Sequence, residues 1–190
     1  MINIAIDYYV RIDQGDINRL IKALNGIEKD APKYIARALN KTATTMRKDL
    51  INEIQKTYTN KYGATKSQLR IEKASAGKLV ARIHVSGDTI QLTAFKHTSG
   101  GKRGAAKAQV VKAGALKPVL KNGNKAWKGN DNKIHVRTGE ARGPAPAVKG
   151  PSVPGMVRGT RVYPQVRERG EEHLHHYMEQ QIDMLIASGG

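Results

Sequence analysis

The chain has 190 residues, 39% of them hydrophobic, which is enough for one domain with a core and too few for two comfortable ones. It contains no cysteine, which excludes disulfides, zinc–thiolate sites and thiol nucleophiles. The net charge is +17, and residues 31–150 carry 25 basic against six acidic side chains. Such an excess attracts a polyanion or an acidic protein surface. We therefore predict a single domain over residues 1–190.

The N-terminal part of the chain predicts one strand followed by helices. Residues 2–12 alternate apolar and polar side chains, the pattern of a half-buried strand. Amphipathic helices are predicted over 16–27 and 30–54, each opened by an aspartate that can cap it, and a short helical turn over 64–69. The apolar run at the N-terminus is short and no window could cross a bilayer, so we expect a soluble, unexported protein without membrane contact.

Beyond residue 70 the periodicity changes to two, which predicts antiparallel β-structure. Residues 79–94 alternate on both sides of Gly87-Asp88 and predict a β-hairpin. Residues 96–133 are rich in lysine and glycine and predict a mobile basic loop region, with short strand candidates at 108–113 and 133–137.

Residues 139–158 are rich in glycine and proline, which argues against a helix or a central strand. The segment is predicted to be an ordered, extended crossover, or a flexible linker if nothing packs on it. Apolar residues then return to helical spacing over 160–187, predicting a long C-terminal helix. The predicted fold class is α+β. It comprises an N-terminal strand and two helices, a central antiparallel sheet with basic loops, and the C-terminal helix.

The sequence lacks the motifs that assemble a catalytic centre, so we expect no enzymatic activity and no cofactor. Residues 100–103, Gly-Gly-Lys-Arg, lack the Ser or Thr that follows the lysine of a phosphate-binding loop. The histidines and glutamates of 171–176 have metal-ligand chemistry but not the HExxH order. We therefore interpret them as a polar helix face and predict no metal site.

The central basic segment is the candidate for contact with DNA. Contact with the phosphate backbone needs only clustered cations on flexible stems, whereas base stacking needs aromatic side chains, of which this segment offers Trp127. A solvated or assembly-facing charge patch explains the same residues equally well. The candidate DNA-facing residues are Lys102, Arg103, Lys107, Lys112 and Lys117.

Five stretches of the sequence carry a resemblance to a known family. They are 38–43 (Ala-Leu-Asn-Lys-Thr-Ala), 62–66 (Tyr-Gly-Ala-Thr-Lys), 71–75 (Ile-Glu-Lys-Ala-Ser), the segment ending at Phe95, and 150–154 (Gly-Pro-Ser-Val-Pro). Together, and in this order over nearly the whole chain, they resemble the phage minor tail protein Z family, also described as tail completion proteins. The most specific stretch is 150–154 followed by a helix, whereas 96–107 and 114–117 depart from the family pattern.

The resemblance implies a non-enzymatic structural subunit of a phage or prophage tail, found in the virion and, during assembly, in the host cytoplasm. It implies a ring, expected to be a hexamer, at the head-proximal end of the tail tube, in contact with other tail and head–tail connector proteins. The implied role is tail completion, with help in head–tail joining and positioning of the DNA end. Under this hypothesis Lys102, Arg103 and Lys107 face the lumen of the ring.

Two other interpretations remain open. A sequence-independent, nucleoid-type DNA-binding protein would bind free duplex with an affinity that falls steeply as salt is added. An adaptor would dock its basic long helix on an acidic partner.

Overall fold

The computed structural model describes residues 4–11, 18, 29–100, 104–139, 143–159 and 161–188. Its chain divides into two compact units. The β-rich unit comprises residues 1–4, 51–68 and 87–159, and the helical unit comprises residues 5–50, 69–86 and 160–190. The single domain stays a prediction, because two compact units can still fold in one cooperative transition.

The helical unit contains a three-stranded sheet and most of the two long helices. Strands are ordered β1-β3-β2 in the sheet, and β2 runs antiparallel to β3 with Leu69 opposite Val85. The elements are β1 (Ile4–Arg11), α1 (Ala31–Thr57, which continues into the β-rich unit), β2 (Leu69–Glu72), β3 (Val80–Gly87, whose last residue belongs to the β-rich unit) and the C-terminal helix (Tyr163–Ser188).

The core of the helical unit follows from two periodicities. Ile35, Leu39 and Met46 recur at helical spacing along α1 and are buried, and alternate residues of β3, among them Ile83, are buried as well. The C-terminal helix approaches closely at Gly170, where an added Cβ would lie 2.7 Å from Met46 Cε. A side chain at this position would therefore require the Met46 side chain to move.

The β-rich unit consists of short elements. After α2 (Tyr62–Lys66), its strands form sheets β12-β4, β5-β6-β7, β8-β9 and β10-β11, and the sheet pairs are antiparallel. The strands are β4 (Thr89–Gln91), β5 (Lys96–Thr98), β6 (Lys107–Gln109), β7 (Lys117–Pro118), β8 (Leu120–Lys121), β9 (Asn124–Lys125), β10 (Trp127–Lys128), β11 (Ile134–His135) and β12 (Lys149–Ser152). The helix α3 (Val153–Arg158) follows β12, and the C-terminal helix of the helical unit (Tyr163–Ser188) is α4.

The structure confirms the α+β class and several elements. The predicted N-terminal strand, the long helix from residue 30 and the C-terminal helix appear as β1, α1 and α4. The predicted turn at 64–69 forms slightly earlier, as α2, and the two strand candidates at 108–113 and 133–137 correspond to β6 and β11. The helix predicted over 16–27 lies outside the described residues, apart from Asn18.

The hairpin predicted over 79–94 is wrong. β3 pairs with β2, whereas β4 pairs with β12, and residues Leu92–Ala94 form a 3-10 turn. Gly87 connects the two strands with a φ of 151°, a value that glycine adopts readily. Alternation identifies which side of a strand is buried but does not identify the strand beside it.

The prediction of an extended crossover over 139–158 is wrong for residues 149–158. Residues 149–152 form β12 in a two-stranded sheet. Each strand of such a sheet has one edge without a neighbouring strand, where Pro151 can be accommodated although it has no backbone N–H to donate. The helix α3 then begins at Val153, with Pro154 in its first turn, where a missing N–H costs nothing. Ser152 caps this helix, since its Oγ accepts from Gly155 N at 3.2 Å.

The loop predicted over 96–133 also requires correction, because its described part contains the paired strands β5 to β10. These strands are two or three residues long and carry no apolar periodicity, so their pairing depends on turns and backbone hydrogen bonds. Whether this region is mobile stays a prediction.

Candidate nucleic-acid interface

The positive charge of the chain is concentrated in the β-rich unit. That unit carries 17 basic and four acidic residues, a net charge of +13, whereas the helical unit carries 16 and 12, a net charge of +4. The excess found over residues 31–150 therefore belongs mainly to one compact unit. A surface of this charge density raises the local concentration of a polyanion.

Two of the candidate DNA-facing residues lie on neighbouring strands of the β5-β6-β7 sheet. Lys107 is opposite Thr98, and Lys117 is opposite Ala108. Residues opposite each other share a face and successive residues alternate, so Lys107 shares a face with Lys96 whereas Lys117 lies on the other face. All three lysines are exposed. The sheet separates Lys107 from Lys117 and places Lys96 diagonally across from Lys107 on the same face.

The remaining candidates are placed differently. Lys112 is exposed in a turn that is tied to the end of α1, because its backbone N donates to Thr57 O at 2.9 Å. The side chain of Gln109 holds the same turn by donating to the Lys112 and Gly114 carbonyls at 2.9 and 2.6 Å. Lys102 and Arg103 lie outside the described residues.

A β-hairpin that the sequence analysis missed presents two further exposed lysines. Asn122 and Gly123 both have positive φ, 50° and 77°, which is the geometry of a type I′ turn and the reason that Asn-Gly is favoured there. Lys121 and Lys125 flank this turn on β8 and β9. Asn124 Nδ2 donates to Arg137 O at 3.3 Å, which ties the hairpin to a second segment. The Asn-Gly dipeptide between lysines was the sequence signal for this hairpin.

Trp127 and Arg137 form a cation–π pair in the same unit. The Arg137 Cζ lies 5.7 Å from the centroid of the Trp127 ring, and the ring is 36% exposed. Such a pair positions a planar guanidinium, which recognises phosphate well, on an aromatic surface. Sequence reasoning did not select Arg137, because the two residues are ten positions apart and meet only through the pairing of β10 with β11.

His135 lies between two hydrogen-bond acceptors in this region. Its Nδ1 lies 2.8 Å from Ala145 O and its Nε2 lies 2.9 Å from Asp131 Oδ1. Both partners are acceptors, so the doubly protonated imidazolium satisfies both contacts. The hydrogen bond with Asp131 accordingly raises the pKa of His135 above its ordinary value of 6.5, and the same bond lowers the pKa of Asp131.

Two histidines of the C-terminal helix lie against carboxylates. His173 Nε2 lies 2.9 Å from Asp49 Oδ2, and His175 lies 3.4 Å from Glu179. Within the described ranges, no three His, Asp or Glu side chains are grouped so that they could hold a metal ion. In the same part of the chain, no helix is both long and apolar enough to cross a membrane.

The family comparison covers nearly the whole chain. The profile described as prophage minor tail protein Z (GPZ) matches residues 16–187. The chain belongs to this family. The family places it in the tail of a phage or prophage virion. No curated protein and no solved structure matches the chain significantly.

One matched segment has a clear structural role. Gly150, at the start of Gly-Pro-Ser-Val-Pro, packs so tightly that an added Cβ would lie 2.5 Å from Phe95 Cε2. The glycine lets β12 approach the ring of Phe95, and the following Ser and Pro open α3. This Z-family segment thus joins a strand to a helix. Gly150 allows the contact with Phe95, and Ser152 and Pro154 are suited to the start of α3.

Proposed function

We propose that this Z-family protein is a non-enzymatic structural subunit that completes the tail as a ring at the head-proximal end of the tail tube. The ring is expected to be a hexamer and to contact other tail and head–tail connector proteins. In that position it helps head–tail joining and the positioning of the DNA end. The observation that carries the proposal is the family match over residues 16–187, and the +13 charge of the β-rich unit supports it.

The DNA contact that we propose involves the phosphate backbone and no base recognition. Four acidic residues cannot neutralise 17 basic ones within the β-rich unit, so most of its cations are available to an external polyanion. Exposed lysines on a sheet face and on a hairpin are suited to contact with the DNA phosphate backbone. Such contact depends on positive charge and long, flexible side chains more than on a shaped pocket. The proposed DNA-facing set remains Lys102, Arg103, Lys107, Lys112 and Lys117, to which Lys96 is added because it shares a sheet face with Lys107.

Deletion of the gene from the parent phage or prophage tests the function. We expect filled heads with defective or unjoined tails in negative-stain micrographs, and a large loss of infectious titre that a plasmid copy restores. Normal, infectious particles would contradict the proposed role. They would favour a nucleoid-type protein, for which purified protein should bind free duplex with a steep dependence on salt.

A second experiment tests the DNA contact alone. The deletion phage is complemented with K102S/R103S/K107S, with the charge-preserving control K102R/R103K/K107R, and with K117S, which alters the other sheet face. We expect the triple serine variant to release DNA from particles and lose titre, whereas both other variants retain DNA. Equal retention by all three would exclude a lumenal role for these cations.

A further inference from the structure

The helical unit contains a cationic groove that the DNA proposal does not use. The groove has a volume of about 650 Å³, and its lining includes Arg37 and Lys41 from α1, Lys73 from the segment after β2, and Tyr177 and Met184 from α4. The described residues that line it include no carboxylate. The groove therefore combines three positive charges with an apolar wall.

Two of these three cations lie over aromatic rings. Arg37 Cζ lies 5.0 Å from the Tyr34 ring centroid, and Lys41 Nζ lies 5.7 Å from the Tyr177 ring centroid. Aromatic rings orient a cation but leave its charge in place. In the part of the chain that the structure describes, none of the three forms an ion pair with a carboxylate.

Hydrogen bonds fix the walls of the groove before any partner binds. Asn40 Nδ2 donates to Ala74 O at 3.0 Å, and Ala74 N donates to Asn40 Oδ1 at 2.8 Å, which holds Lys73 beside α1. Across the groove, the hydroxyls of Thr45 and Tyr177 lie 3.0 Å apart. A groove that is already ordered loses little conformational entropy when it binds a partner.

The outer face of α4 has the complementary chemistry. Four exposed carboxylates form one stripe along the helix: Glu168, Glu172, Glu179 and Asp183. Glu179 is two residues from Tyr177, a rotation of about 200° on a helix, so the stripe points away from the groove of its own chain. Glu168 is four residues from Glu172 and Glu179 four residues from Asp183, and like charges at this spacing destabilise a helix. His175 Nε2 of the same helix lies 3.4 Å from Glu179 Oε1, and cations from a second copy would relieve the repulsion along the rest of the stripe.

We propose that the cationic groove of one copy binds the acidic stripe of α4 of a second copy. This contact rests on the proposed ring, because an interface between two different surfaces repeats from copy to copy and closes into a ring when the rotation allows. The exposed side chains of Met184 in the groove and Ile186 beside the stripe, 52% and 54% exposed, add an apolar contact. A recessed groove with a tyrosine and a methionine in its wall fits a helix ridge better than a wide, uniformly charged duplex.

A charge-swap experiment on purified full-length protein tests the contact. The groove variant K41E/K73E makes both surfaces negative, and the stripe variant E168K/E172K/E179K makes both positive. Each variant alone should sediment as a monomer at low salt under conditions where the wild type self-associates, because its two surfaces repel. A 1:1 mixture should associate again, since each groove then meets a stripe of opposite charge. High salt should dissociate both the wild type and the mixture.

The control variant K121E/K125E reverses two exposed lysines on the β8–β9 hairpin and should associate like the wild type. Circular dichroism verifies that every variant is folded. Wild-type protein that stays monomeric at low salt, variants that associate normally, or a mixture that stays monomeric would each overturn the contact. A groove variant that self-associates normally but loses affinity for duplex DNA would overturn it in favour of a DNA site.

The sedimentation result is independent of the proposed function. If deletion of the gene left phage titre normal, the tail-completion role would fail, while sedimentation would still decide whether the copies bind each other. If the role held and the charge swap failed, the ring would use other surfaces.

Discussion

The two units of this protein differ in how they hold their charges and in how they hold their shape. In the helical unit, 12 acidic residues offset most of the 16 basic ones, some of them in ion pairs such as those of Glu72 with Lys78 and Arg82, and long amphipathic elements supply the core. In the β-rich unit cations outnumber acidic residues 17 to four, and the strands are short. The first unit is therefore built mainly by periodic burial, and the second by individual turns, caps and glycines around a surface left charged.

Removal of a core side chain from the helical unit should have the largest effect. Leu39 is fully buried, so Leu39→Ala should lower the free energy of unfolding by about 2–5 kcal/mol. Leu120 is 57% exposed, and Leu120→Ala should change it by less than about 0.5 kcal/mol. Urea titration followed by circular dichroism measures both. Similar midpoints for the two variants would show that periodic burial does not dominate this unit.

A close approach in the β-rich unit should give the next largest effect. The Cβ of Gly150→Ala would meet the Phe95 ring at 2.5 Å, so we expect a loss of about 1–3 kcal/mol from overpacking. Gly63→Ala in α2 is the matched control, because no atom lies within 4 Å of its added Cβ and alanine favours a helix. The account of the Gly-Pro-Ser-Val-Pro segment would be wrong if both variants melted together.

The type I′ turn should contribute a smaller amount. Gly123 has a φ of 77°, a conformation that costs an alanine about 1–2 kcal/mol. Gly123→Ala should therefore lower the melting temperature and increase hydrogen exchange of the β8–β9 amides. Gly104→Ala, with no atom near its added Cβ and no positive φ, serves as the control. Unchanged exchange in the hairpin would indicate that the turn is not what holds it.

The smallest effect concerns the protonation of His135. Asp131 raises the pKa of His135, so the charged imidazole stabilises the fold below the ordinary pKa of 6.5, and this contribution is lost as the pH rises through the raised value. The lowered pKa of Asp131 has the opposite sign, and its contribution is lost as the pH falls through the lowered value. In Asp131→Asn, NMR should find His135 titrating at lower pH. A titration identical to wild type would exclude the Asp131 contact as the cause.

The same contrast explains how much the sequence could predict. The sequence predicts α1 and α4 because buried apolar residues recur at helical spacing there. Ile35 and Leu39 show this spacing in α1, and Val162 and Val166 show it at the start of α4. The partner of β4 was not predicted, because β12 comes about 60 residues later and no local pattern links Gln91 to Lys149. The helix α3 was missed because a proline suggested a break, whereas Ser152 and Pro154 together form a helix start.

From the sequence alone, the candidate interface could be predicted only as a segment with an excess of basic residues. The excess of lysine was plain from the sequence, but the opposite faces of Lys107 and Lys117 depend on the register between β6 and β7. The contact of Arg137 with Trp127 likewise depends on strand pairing. Register is a tertiary property wherever strands are this short.

The position of the protein in the virion tests the proposed tail-completion role without relying on any variant. A plasmid copy with a small epitope tag complements the deletion phage, and gold-labelled antibody locates the tag on purified particles by electron microscopy. The account predicts label at the head-proximal end of the tail in infectious particles. Label at the distal tip, along the whole tube, or absent from tagged infectious virions would contradict it.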